Sequence, residues 1–159
     1  MSNVAVVATP KVGINRLNKL LDLFENFDEK VDGKFDISIW AQELDRNKPK
    51  CGTAACALGW ATTIPSFRKA GFRLVKDDSF SHGRYHVNLK WRPAYKDIED
   101  MPFTAAAYFF GITTKDAEEA FDFDDSKVTR KQMISRLKNL IKKNEKRLAK
   151  NGNVPVDVY

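Results

Sequence analysis

Apolar residues recur at the helical period in two long stretches of this chain. Ile14, Leu17, Leu20, Leu21, Phe24 and Phe27 share one face of a helix over residues 14–27. Met133, Ile134, Leu137, Leu140, Ile141 and Leu148 do the same over residues 130–150. That helix opens on Thr129-Arg-Lys-Gln132, a capping box in its Gln form, and stops at Asn151-Gly152. Between them, Pro102 starts an apolar helix that Gly111 ends, and Thr114 caps another with Ala117, Ala120 and Phe121 inward. Small residues from Ala54 to Thr62, with Thr53 as N-cap and Pro65 as stop, predict a further helix. Strict alternation appears in Phe72-Arg-Leu-Val75 and in Tyr85-His-Val-Asn-Leu-Lys-Trp91. The turn-rich link between them predicts an antiparallel β-hairpin. Residues 1–13 read as an extended lead closed by Pro10 and Gly13. The expected fold class is α+β: a mostly helical single domain with one small antiparallel β-hairpin and a long basic C-terminal helix.

Length and composition narrow the classes. A chain of 159 residues suits one globular domain over 1–159, with 1–13 and 151–159 loosely ordered. Hydrophobic residues at 43% against 30% charged exclude disorder. No apolar run is long enough to span a membrane, and the N-terminus lacks the basic region of a secretory signal. A cytoplasmic location without membrane partners is therefore expected. The net charge of +6 is uneven. Residues 127–150 hold ten Lys or Arg against one acid, Glu145, so the rest of the chain carries −3. Any attraction for an anionic partner belongs to that segment: Lys138, Lys142, Lys143, Lys146 and Arg147 form the expected face. The acids at 116–125 are its nearest intramolecular partners.

The least generic stretch is 35–62. Phe35-Asp-Ile-Ser-Ile-Trp40 is followed, after a polar gap, by Cys51-Gly-Thr-Ala-Ala-Cys56-Ala-Leu-Gly-Trp60-Ala. Small residues permit close approach of a backbone or ligand, and a helix starting at Thr53 would offer free N–H groups to an anion. Trp40, Gly52, Thr53, Trp60, Tyr85 and Trp91 are the candidate ligand-binding residues. The pattern resembles a family of small uncharacterised bacteriophage and bacterial proteins with an F-x-(M/I)-x-x-W segment followed by C-G-T-x-x-C-x-x-G-x-A. The resemblance implies a phage-encoded factor acting in the host cytoplasm, and it transfers no catalytic residue.

The expected function is a non-enzymatic binding protein that occupies a host factor or sequesters a small anionic ligand such as a nucleotide. Two other readings stay open. Cys51 at a helix entry with His86 on a strand sketches a Cys-dependent hydrolase or transferase. The basic terminal helix can also face nucleic acid, although residues 127–150 hold no aromatic to stack bases. The C-x4-C spacing of Cys51 and Cys56 is unusual for zinc, only His82 and His86 could complete a ligand set, and neither a metal nor a cofactor is expected.

Overall fold

Thr9 begins the first helix earlier than the apolar stripe suggests. Its extended backbone and its hydroxyl, which accepts the Val12 N–H at 3.5 Å, form an N-cap, and Pro10 supplies a preset first turn. In a computed structural model, residues 7–26, 34–35, 54–55, 57–77, 84–89, 101–121 and 129–159 are described, with 34–35, 54–55, 74–77, 84–89 and 101–102 as backbone. The helices are α1 (Pro10–Glu25), α2 (Ala57–Ala61), α3 (Pro65–Lys69), α4 (Met101–Phe110), α5 (Thr114–Phe121) and α6 (Arg130–Asn151). No helix among the described residues is long and apolar enough to cross a membrane.

The stripes of α1 and α6 meet. Leu17, Leu20, Leu23 and Phe24 from α1 and Met133, Leu137, Leu140 and Ile141 from α6 are buried in one core. Helix α4 is apolar nearly all round, and residues 104–107, 109 and 110 are buried. Phe67 of α3 lies edge-on to Phe109 with ring centroids 4.9 Å apart. The capping box of α6 forms as a reciprocal pair: Thr129 N–H donates to Gln132 Oε1 at 2.8 Å, and Gln132 N–H donates to Thr129 Oγ1 at 3.2 Å.

The expected helical majority is present, but the α+β class with its β-hairpin is corrected: among the described residues no closed hairpin is shown. Helix takes up 74% of the residues described with their side chains. The extended segments are narrow ribbons: β1 (Lys34–Phe35) runs parallel to β2 (Ala54–Ala55), and β3 (Phe72–Asp77) runs antiparallel to β4 (Arg84–Leu89). Residues 78–83, which a hairpin would need as its turn, lie outside the described ones. A two-stranded ribbon has too little apolar face to serve as a layer of its own. Phe72 shows the consequence. Its ring stacks on Phe109 at 4.5 Å and joins the helical core.

Three local expectations also change. The helix foreseen over 54–62 is extended at Ala54–Ala55 and helical only from Ala57. The segment foreseen as a loose tail returns to the body. Val158 is buried, and its carbonyl accepts the Thr114 N–H at 2.8 Å and the Thr114 hydroxyl at 3.0 Å. Gly13, expected to close a lead, lies inside α1, where a Cβ would overlap the Phe110 carbonyl.

Gly13 therefore permits α1 to touch the end of α4. Gly13→Ala gains about 1 kcal/mol of helix propensity. It should still destabilise the protein by a net 1–3 kcal/mol or so, because neither backbone can move aside without repacking. Urea unfolding checks this; a variant more stable than the parent would separate the two helices.

Candidate functional site

Helix α6 carries three arginines and six lysines, and their surroundings divide by residue type. Arg130, Arg136 and Arg147 are half-buried, whereas Lys131, Lys138, Lys142, Lys143, Lys146 and Lys150 are exposed. Each arginine serves a seam. Arg130 Nη1 donates to the Phe24 carbonyl at 3.1 Å, at the end of α1. Arg136 Nη1 donates to the Ala120 carbonyl at 3.3 Å, at the end of α5. Both put positive charge where helix dipoles are negative.

Arg147 reaches Asp116, the one buried acid among the described residues. Asp116 is 4% exposed. Its Oδ2 accepts from Arg147 Nη2 at 2.6 Å, and its Oδ1 accepts from Lys143 Nζ at 2.8 Å. Burial by itself raises the Asp116 carboxyl pKa. The two hydrogen bonds and the two positive charges outweigh burial, and the group ends below its usual value. Arg147 Nη1 also donates to Asn144 Oδ1 at 3.1 Å, and Asn144 Nδ2 donates to the Phe110 carbonyl at 3.3 Å. A polar chain thus joins α5, α6 and α4.

Five cations were expected on the anionic-partner face. Lys143 and Arg147 are turned to Asp116, so the anion they hold belongs to their own chain. Lys138 Nζ lies 3.7 Å from Glu25 Oε1, with both side chains near half exposure, a contact of little energy. Lys142 and Lys146 are exposed and form no ion pair among the described residues. The face narrows to Lys138, Lys142 and Lys146, one turn apart along α6.

The candidate ligand pocket fares differently. Trp60 is fully buried in α2 beside Leu58, so it is core rather than a surface for a ligand. The helix foreseen from Ala54 is not present at that start, because Ala54–Ala55 is extended and α2 starts at Ala57. Trp40, Cys51, Gly52, Thr53 and Trp91 lie outside the described residues. Tyr85 and His86 sit in β4 opposite Lys76 and Val75. Among the described residues no group of three or more His, Cys, Asp or Glu is placed to hold a metal.

Sequence reasoning overlooked Asp116 as a particular residue. The available signal was the pair Lys143 and Arg147, four apart on one helix face, which makes a two-cation clamp. It also overlooked Arg16 of α1, whose Nη1 donates to the Phe109 carbonyl at 2.7 Å and whose Cζ lies 3.9 Å from the Phe109 ring centre. Nothing in the pattern marks Arg16, because its partner is 93 residues away.

Asp116→Asn removes the charge that Lys143 and Arg147 share. A loss of about 1–3 kcal/mol is expected. It falls short of the roughly 3–5 kcal/mol for a fully buried pair, since Lys143 stays half in water. The depressed carboxyl stabilises the fold above the unfolded value of about 3.9. That contribution disappears as pH falls through the lower folded value. Denaturant titrations below pH ~4 should show a shallower acid loss in the variant; equal slopes would place the acid sensitivity on other carboxylates. No protein family, curated protein or solved structure matches this chain.

Proposed function

We propose that this is a non-enzymatic binding protein that occupies an acidic surface on a partner protein through Lys138, Lys142 and Lys146 of α6. A host factor is the partner class that the phage-family resemblance implies. The observation that carries the reading is the division of labour on one helix. Its apolar stripe is already packed on α1, and its arginines are bonded at seams. Its lysine row stands in water.

Such a row is regularly spaced. Successive members are about 6 Å apart along the axis, which matches the spacing of acids on a partner helix. Lysine suits this role because its ammonium is a strongly hydrated point charge without the fork geometry of arginine. The row carries no aromatic, so it lacks the stacking platform used for single-stranded nucleic acid.

Fluorescence anisotropy with a labelled poly-glutamate peptide tests the proposal. Reversing Lys142 and Lys146 to Glu should weaken binding about tenfold or more. The melting temperature should hold, because both side chains are exposed. Binding should also fall steeply with added salt. Unchanged affinity in the double variant would overturn the proposal. Tighter binding of duplex DNA than of the peptide would select the nucleic-acid reading instead.

A further inference from the structure

We propose that residues 153–159 are an exchangeable latch: hinged at Gly152, this segment leaves its own seat and fills the same seat on a second copy of the chain. The lysine row of α6 plays no part in the exchange, so either proposal can fail alone.

The seat is built from donors that two helices leave open at their starts. Lys11 is the second residue of α1, and its N–H donates to Asn153 Oδ1 at 3.0 Å. Thr114 is the first residue of α5. Its N–H and its hydroxyl donate to the Val158 carbonyl at 2.8 Å and 3.0 Å. Neither N–H has an acceptor within its own helix. Between these anchors the segment is extended over the body. Val158 is buried, and Val156 packs half-buried on the same core, while residues 154, 155, 157 and 159 stand in water. Tyr108 of α4 lies against the far end. Partial burial, then the charge and hydrogen bond of Tyr159 and the charge of Asp157, raise its pKa.

One residue turns the chain back onto this seat. The Gly152 N–H still closes α6 on the Leu148 carbonyl at 3.0 Å, but its backbone stands at φ +75° and ψ −171°. That region is open to glycine and nearly closed to any residue with a Cβ. A Cβ placed there would meet no atom within 4 Å. The return therefore rests on backbone conformation alone, with nothing packed on the hinge. The anchors are a side-chain oxygen at one end, and a carbonyl with two valines at the other. A straightened hinge carries all of them to a neighbour unchanged. An open seat exposes the apolar place of Val158 to water, so it tends to refill. The segment that already matches it in length and side-chain spacing is residues 153–159 of another copy, and exchange of identical elements is a low-cost route to a dimer.

Sedimentation velocity on the full-length chain, over a wide range of protein concentration, tests the exchange. Gly152→Ala should strengthen dimerisation about tenfold or more, because each exchanged hinge escapes the glycine-only conformation. In a mixture of 15N-labelled and 13C-labelled copies of this variant, the Thr114 N–H of one copy should show a nuclear Overhauser contact to the Val158 side chain of the other. Adding Val158→Asp should return the variant to monomer, since a carboxylate cannot fill an apolar seat. The parent, concentrated in mild urea and returned to buffer, should give a dimer fraction with the same contact between copies. A Gly152→Ala chain that stays monomeric at every concentration overturns the proposal. A dimer without the Thr114–Val158 contact between copies, or one that survives Val158→Asp, also overturns it. If Gly152→Ala does not fold, a parent that returns from urea only as monomer has the same consequence.

Discussion

The last four carbonyls of α4 are the constraint around which this protein is arranged. A helix end leaves these groups without partners inside the helix, and burying them bare costs about 1–3 kcal/mol each. The end of α4 is buried, yet all four are satisfied, each from a different place. Ala107 O accepts from Ile112 N at 3.0 Å, and Tyr108 O accepts from Ala8 N at 2.8 Å. Phe109 O accepts from Arg16, and Phe110 O accepts from Asn144. The first is local and needs Gly111 at φ +63° to turn the chain. The other three bring the N-terminal segment, α1 and α6 to one point. The two glycines make that convergence possible, because a Cβ at Gly13 would strike Phe110 and one at Gly111 would strike Ala8.

Helix α6 then has two duties that follow from where it is pinned. Asn144 fixes its register on α4, and Arg147 carries that register on to Asp116 in α5. Each element is thereby tied to its neighbour by a directed polar contact as well as by apolar area. Buried polar links of this kind add little net stability but penalise any other alignment, because a shifted helix would leave Asp116 charged and unpaired. The same contacts fix the direction in which the exposed lysines of α6 face.

Much of this was open to reading from the residues. The stripes of α1 and α6 and the capping box follow from period and composition. What escaped has a common physical cause. Gly13 looks like a helix breaker unless one knows that Phe110 sits against it. Ala54–Ala55 has helical composition, but its pairing with Lys34–Phe35 is a long-range choice that overrides propensity. The return of Val158 to Thr114 spans 44 residues, and the pairing of Asp116 with its cations spans 27 and 31. A periodic pattern shows which side of an element is buried but not which partner lies against it. The alternation at 72–75 and 85–89 was legible as extended chain, yet alternation alone does not reveal that the ribbon joins a helical core through Phe72.

One distinction in the sequence carries more meaning than net charge suggested. On α6 every arginine is half-buried and bonded at a seam, and every lysine is exposed. On α1, Arg16 is half-buried, while Lys11 and Lys19 are exposed. Arginine is more weakly hydrated than an ammonium and offers several fixed donors, so it loses less on entering a seam and caps a carbonyl while keeping donors for a second partner. Lysine keeps its head in water and places only its stem on the apolar surface. Counting both as one basic patch merges two jobs. The arginines of α6 hold the fold together, which leaves its positive field to the lysines. Arg16 does the same work for α4, but unlike Arg147 it has no acid among the described residues. Among the described residues, Lys142 and Lys146 on α6 are cations that no carboxylate answers.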